Sequence, residues 1–151
     1  MNTTNATGSL IKEDEIKSVL VQFFEQNGWD TEVHNGLEHG VDFQARKDDL
    51  CWKIEVKSEY KRDAANNNSF LYVLGQILMR MDSPNTYYGI ALPKTEKYES
   101  LCAKIPQEAK KRTNIFVLIV DINTPSTIEI IPCCKVPSPF KTFGVIEVKD
   151  K

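Results

Sequence analysis

Two alternating segments, joined by a short polar turn, constrain the fold of this chain more than any other feature. Residues 40–47 and 50–57 each alternate apolar and polar side chains, which is the period of a β-strand with one buried face. Asp48 and Asp49, which lie between them, are typical turn residues. The pattern therefore predicts a β-hairpin, and the register of a hairpin is set by the length of its turn.

A two-residue turn pairs Lys47 with Leu50, so that the numbers of facing residues sum to 97 along the whole hairpin. One face then carries only apolar pairs, which are Val41 with Val56, Phe43 with Ile54, and Ala45 with Trp52. The other face carries the polar pairs, which are Gly40 with Lys57, Asp42 with Glu55, and Gln44 with Lys53. We expect the apolar face, including Trp52, to belong to the core.

The facing carboxylates of Asp42 and Glu55 form the candidate functional site. Facing residues have Cβ atoms about 4.5–5.5 Å apart, and two carboxylates at that distance repel unless a positive charge lies between them. Mg²⁺ would satisfy both, because it prefers oxygen ligands and needs only one or two carboxylates beside water and phosphate. Lys57 lies two residues after Glu55 on the same face, within reach of a bound water or a phosphate. The arrangement predicts a hydrolytic site.

The alternative is an exposed ladder of ion pairs between these acids and Lys53 and Lys57, each pair contributing a few tenths of a kcal/mol.

The rest of the chain predicts helices packed on a mixed sheet. Six apolar residues at helical spacing, ending at Asn27 and Gly28, predict a first helix: Ile11, Ile16, Val19, Leu20, Phe23 and Phe24. Further predicted elements are a strand over 30–34, a helix over 70–81, a strand over 87–92, a helical stretch over 94–111 broken at Pro106, and a buried strand over 115–121. Weaker strands are predicted over 127–131 and 143–148, and residues 66–68 are interpreted as a loop. The order α-β-β-β-α-β-α-β is that of an α/β domain.

Length and composition fit one globular domain. The chain has 151 residues, of which 41% are hydrophobic and 26% charged, and we expect residues 11–151 to form a single domain after a flexible segment over 1–10. No apolar run approaches the roughly 18 residues of a membrane span, and the polar N-terminus does not resemble a signal peptide, so we expect a cytoplasmic protein.

His34 and His39 are interpreted as loop residues. The four cysteines lack zinc-site spacing, so we expect reduced thiols and no zinc: Cys51, Cys102, Cys133 and Cys134.

Charge is uneven along the chain, although the net charge is only −2. Residues 1–50 carry 4 Lys/Arg and 10 Asp/Glu, whereas residues 51–112 carry 11 and 7. The basic middle could form a phosphate-facing surface, and a solvated face of mixed charge is the commoner alternative.

The hairpin residues resemble a known family. Gly40-Val41-Asp42 followed by Glu55-Val56-Lys57, within an α-β-β-β-α-β order over residues 11–121, is similar to the PD-(D/E)xK nuclease superfamily, which includes Holliday-junction resolvases and Mrr-like restriction endonucleases. Val41 stands where the family's name has proline. Glu-x-Lys occurs five times in this chain, and only the copy at residues 55–57 ends a strand that pairs with an Asp-bearing strand and precedes a helix.

The resemblance implies a restriction-endonuclease-like fold and a metal-dependent endonuclease, with DNA as the favoured substrate and a homodimer as a plausible assembly. Asp42, Glu55 and the carbonyl of Val56 would hold Mg²⁺, for which Mn²⁺ can substitute, and Lys57 would activate the attacking water. Two residues on the predicted helices would support the ion or the water: Glu15 and Gln76. Four cations are candidates for contact with the nucleic-acid backbone: Lys53, Lys61, Arg62 and Arg80. The alternative is a catalytically silent subunit of the same fold that binds nucleic acid or a protein.

Overall fold

A computed structural model of the protein describes residues 10–35, 40–124 and 128–131. These residues form a six-stranded sheet with helices on both faces. In chain order the elements are α1 Glu13–Gln26, β1 Asp30–Val33, β2 Phe43–Lys47, β3 Leu50–Val56, α2 Asp63–Leu78, β4 Thr86–Pro93, α3 Glu96–Ala103, α4 Gln107–Thr113, β5 Ile115–Val120 and β6 Ile128–Ile131. This sequence of elements confirms the predicted mixed α/β sheet and its order, with the predicted charged helix divided into α3 and α4 at Pro106.

The strands lie side by side in chain order. β1, β2 and β3 are antiparallel neighbours, β3, β4 and β5 are parallel, and β6 is antiparallel to β5. Parallel neighbours need a crossover connection, which α2 supplies between β3 and β4 and the α3–α4 pair supplies between β4 and β5. The strand that carries Glu55 therefore lies inside the sheet, with the hairpin on one side of it and the parallel strands on the other.

The hairpin has the predicted register. Lys47 pairs with Leu50, and the ladder continues to Phe43, which pairs with Ile54. Asp48 has a φ of 53°, in the left-handed region that aspartate tolerates better than most residues. Because β2 begins at Phe43, Asp42 lies just outside the ladder.

Each face of the sheet has its own core. On one face the apolar stripe of α1 belongs to a core with residues of β2 to β6, and Trp52 is fully buried there, as predicted. On the other face α2 and α3 pack against β4 and β5. Every residue of β5 is buried, which is the pattern of a strand covered on both sides.

The boundaries of α2 differ from the prediction of 70–81. The helix begins seven residues earlier, at Asp63, and includes the three asparagines that were interpreted as a loop. Asn66 is buried because its side chain replaces a backbone partner: its Oδ1 accepts from the N–H of Tyr60 at 2.8 Å, and its Nδ2 donates to the Tyr60 carbonyl at 2.7 Å. At the other end, α2 stops at Leu78 and the chain turns at Met79 and Arg80.

Other expectations have simpler outcomes. The predicted strand over 127–131 is β6, whereas the strand over 143–148, His39, Cys133 and Cys134 lie outside the described residues. Cys51 and Cys102 are buried thiols. His34 follows β1, with its Nε2 3.0 Å from Glu32 Oε1. None of the described helices is long and apolar enough to cross a membrane.

Candidate active site

Asp42 and Glu55 meet at the end of the hairpin. Glu55 is the next-to-last residue of β3, and only 1% of its surface is exposed. Asp42 lies beside it, where its Oδ2 accepts a hydrogen bond from the backbone N–H of Val56 at 2.9 Å. Burial, together with a hydrogen bond and charge repulsion from Asp42, raises the pKa of Glu55 to about 7. The predicted juxtaposition of two carboxyl groups is therefore present, and the alternative of an exposed ladder is wrong because Glu55 is buried.

Arg80 supplies the positive charge beside this pair. Its Nε donates to Glu55 Oε1 at 3.0 Å, and its Nη2 donates to the carbonyl of Gly40 at 2.9 Å. The guanidinium thus connects the turn after α2 to β3 and to the segment before β2. Arg80 was predicted to contact nucleic acid, but two of its five N–H donors serve the protein itself, and 38% of the side chain remains exposed.

Lys57 follows Glu55 by two residues and is mostly buried. Its Nζ lies 4.0 Å from Glu13 Oε1 and 5.0 Å from the centre of the Tyr72 ring, which is a cation–π distance. Burial raises the pKa of Glu13 above its ordinary value, with Lys57 acting against this rise and Asp42 adding to it. Glu13 is therefore close enough to interact electrostatically with both Lys57 and Asp42.

The acid of α1 that lies beside Lys57 is Glu13, whereas the predicted Glu15 lies away from it. Glu15 is exposed, and its Oε2 accepts a hydrogen bond from the backbone N–H of Lys12 at 2.8 Å, so it caps the first turn of the helix. Helical spacing alone does not separate the two acids, because Glu13 precedes buried Ile16 by three positions and Glu15 precedes buried Val19 by four.

Gln76 lies on the helix face that covers this site. It follows Tyr72 by four residues and precedes Arg80 by four, and these two neighbours contact Lys57 and Glu55 respectively. The Oε1 of Gln76 is buried and accepts no hydrogen bond from the part of the chain that the structure describes. The spacing therefore places the side-chain oxygen of Gln76 on the face of α2 that covers residues 55–57.

A groove of about 550 Å³ opens beside Arg80 and Val41, which are neighbours of the carboxyl pair, although neither Asp42 nor Glu55 is among its lining residues. Its lining includes Gly40, Arg80, Lys53 and Asp82, and the last two form an ion pair at 3.5 Å. Lys61 and Arg62 are exposed in the segment between β3 and α2 and do not line the groove. Of the four cations predicted to contact nucleic acid, two lie in the groove and two lie on the approach to α2.

The residues present fit a divalent cation that is held by few protein ligands. Within residues 10–35, 40–124 and 128–131, no three His, Cys, Asp or Glu side chains form a group that could hold a metal. Mg²⁺ is commonly bound through one or two carboxylates, with waters and substrate phosphate completing its shell. A half-buried Asp42 beside a buried Glu55 suits that mode, because a cation would offset the repulsion between the two carboxyl groups.

Comparison with known proteins shows the fold. No family model matches the chain, and no curated protein matches it. Among solved structures, an XisH family protein from Nostoc punctiforme is similar, with 23% identity and a TM-score of 0.52 over 74% of this chain and 94% of that one. An fdxN element excision controlling factor from Anabaena variabilis is similar at 22% identity, with the same TM-score and coverage. At this level of identity the similarity is one of fold.

The raised pKa of Glu55 predicts a specific pH dependence of stability. Between pH 4.5, its ordinary pKa, and about 7, the folded protein keeps a proton that the unfolded chain has lost, so this group's contribution to stability falls as the pH rises. Glu55→Gln does not titrate. We expect the unfolding free energy of the wild type, minus that of Glu55→Gln, to decrease from about pH 5 to about pH 8. Urea denaturation at each pH measures it, with Glu15→Gln as the control. A constant difference would contradict the shift.

Proposed function

We propose that the protein is a metal-dependent phosphodiesterase that cuts nucleic acid. One observation carries the proposal: two hydrogen-bonded carboxyls, Asp42 and Glu55, lie at the ends of neighbouring strands, and a mostly buried lysine, Lys57, follows on the same strand. Two acids and a lysine at one strand end supply the charges that phosphodiester hydrolysis needs, namely a site for a cation and a positive group for the developing charge.

Asp42, Glu55 and the carbonyl of Val56 are the ligands that we propose for the cation. When bound, a divalent cation neutralises phosphate charge and makes a water molecule more acidic. The N–H of Val56 already orients the Asp42 carboxylate, which reduces the reorganisation needed for binding. Burial of Glu55 excludes water from its carboxylate and strengthens its attraction for any cation.

Lys57 is the group that we propose to orient the attacking water and to stabilise negative charge on the phosphate. Glu13 and the Tyr72 ring hold its ammonium from two sides, so the side chain has little freedom to leave the site. A group held in this way loses less entropy when it meets the substrate. Gln76, whose oxygen accepts no hydrogen bond from the described residues, is proposed to bind a water on the helix side of the site.

DNA is the nucleic acid to test first, since one structural neighbour is described as a factor that controls excision of the fdxN element. The groove that Arg80 and Lys53 line is the surface that we propose for the nucleic-acid backbone, with Lys61 and Arg62 as outer contacts. Contacts of this kind give affinity without reading sequence. We therefore propose that cleavage is directed by the form of the nucleic acid or by a partner.

Cleavage of supercoiled plasmid, single-stranded DNA and RNA, with Mg²⁺, Mn²⁺ or EDTA, tests this function. We expect cleavage only with metal, and a loss of about 100-fold or more in Asp42→Asn and in Lys57→Ala. Glu13→Gln and Glu15→Gln form a matched pair on α1, of which only Glu13→Gln should lower the rate, because only Glu13 contacts Lys57. Cleavage that survives EDTA, or that Asp42→Asn retains, would refute the proposed site.

A second candidate function is a silent subunit that binds nucleic acid, and the contact of Arg80 with Glu55 favours it. The guanidinium already neutralises part of the charge that would attract a cation. In an active enzyme the cation competes with this contact, whereas in a silent subunit the ion pair is the permanent structure.

Calorimetric titration with Mn²⁺, without nucleic acid, separates the two functions. For the active site we expect the wild type to bind Mn²⁺, and Arg80→Met to bind it about tenfold more tightly, since a competing positive charge is gone. Arg80→Lys keeps the charge and serves as the matched control. If neither the wild type nor Arg80→Met binds Mn²⁺ and both still bind DNA, the silent function is correct.

A further inference from the structure

Tyr72 lies on α2 with one face of its ring toward the candidate active site. The Nζ of Lys57 is 5.0 Å from the centre of the ring, which is a cation–π distance. The residue is nevertheless 65% exposed, so its neighbours in the described part of the chain cannot cover both faces of the ring. The face opposite Lys57 is therefore accessible to a substrate that approaches the site.

The surface of α2 around Tyr72 is apolar and uncharged. After Asp63, no charged residue occurs in the sequence until Arg80. Leu71 and Met79, on the same side of the chain's turn from Tyr72 to Arg80, are 67% and 85% exposed. A surface that binds the outside of a duplex carries lysine and arginine, because that outside is lined by phosphates. An apolar surface suits bases instead, which a single strand exposes and a duplex keeps in its interior.

Gly75 leaves space beside the ring of Tyr72. Side chains on an α-helix lean toward its N-terminus, so a side chain at position 75 would lean toward the residue three positions before it, which is Tyr72. Glycine has no side chain, and a Cβ added to Gly75 meets no atom of the described residues within 4 Å. The helix surface next to the ring is therefore open, as the approach of a flat base requires.

The accessible ring and the groove that Arg80 lines are connected along one helix. Met79, which also lines the groove, follows Tyr72 by seven residues. Seven residues are two helical turns, which place the two side chains on the same side of the helix and about 10 Å apart along its axis. A nucleic-acid strand with one base on Tyr72 can therefore continue into the groove that we propose for its backbone.

We propose that Tyr72 stacks on an unpaired base and that the substrate is single-stranded DNA. The inference rests on the proposed function, because it takes Lys57 to contact a phosphate of the same strand. A base and its phosphate belong to one nucleotide, so a base on the accessible face of Tyr72 brings a phosphate of that strand close to Lys57 on the other face. In a duplex the same contact would require a base to leave its stack. Stacking tolerates any sequence, because every base has a π-face.

Fluorescence anisotropy of short labelled strands, in EDTA so that metal-dependent cleavage cannot occur, tests the stacking. The probes are a single strand of thymidines, its duplex with adenosines, and a strand of equal length made only of abasic residues, which keeps the phosphates without the bases. We expect the wild type to bind the thymidine strand about tenfold more tightly than the abasic strand, and also more tightly than the duplex. Tyr72→Leu should lose most of the preference for bases and bind the abasic strand unchanged. Tyr72→Phe keeps the ring and should keep the preference.

Four results would overturn the inference: equal binding of the thymidine and abasic strands by the wild type, a full preference for bases in Tyr72→Leu, tighter binding of the duplex, or no binding of any strand. Cleavage with Mg²⁺, measured on the same samples, reports separately on the proposed enzyme. A chain that prefers bases through Tyr72 but never cleaves refutes the enzyme and upholds the stacking. A chain that cleaves, but binds thymidine and abasic strands equally, refutes only the stacking.

Discussion

The carboxyl groups of buried Glu55 and half-buried Asp42 meet at the end of the hairpin, and the contacts around them offset the cost of placing two acids there. Burying a single unpaired carboxylate costs several kcal/mol, and a second one beside it adds repulsion. Here the cost is reduced in three ways: the N–H of Val56 binds Asp42, the guanidinium of Arg80 binds Glu55, and a hydrogen bond joins the two carboxyls. A protein without a use for such a pair would be more stable with apolar residues there.

Each stabilising contact comes from a different element, so the site requires the whole fold. The two-residue turn sets the register that brings Asp42 to the end of β3. The crossover helix α2 ends so that Arg80 reaches back to Glu55 and Gly40. Helix α1, on the other face, places Glu13 near the end of β3, where its carboxylate lies beside Lys57. Three segments that are distant in sequence thus meet around a few side chains.

Local rules explain which parts could be predicted from sequence. The hairpin register was predictable because a two-residue turn and the two-residue period of strands leave one pairing that buries the apolar face. The same arithmetic brought Asp42 and Glu55 together, although Asp42 lies just outside the ladder. The buried strand β5 was predictable from its continuous apolar run.

Long-range contacts explain what the sequence alone did not show. Asn66 belongs to a helix because it binds the backbone of Tyr60, and propensity alone does not reveal such a partner. The sequence predicts Arg80 to be an exposed cation, because nothing near it in the chain indicates its partner Glu55, which lies 25 residues away. Glu13 and Glu15 share one acidic turn, and helical spacing alone does not show which of them lies beside Lys57.

A crystal structure grown with Mn²⁺ would test the central claim, that Asp42 and Glu55 form a cation site, most directly. The anomalous scattering of manganese identifies the ion without reference to activity. We expect one strong peak within about 2.0–2.3 Å of oxygens from both carboxyl groups, with the guanidinium of Arg80 moved away from Glu55 Oε1. Absence of a peak at saturating Mn²⁺, with the contact of Arg80 and Glu55 unchanged, would contradict the account.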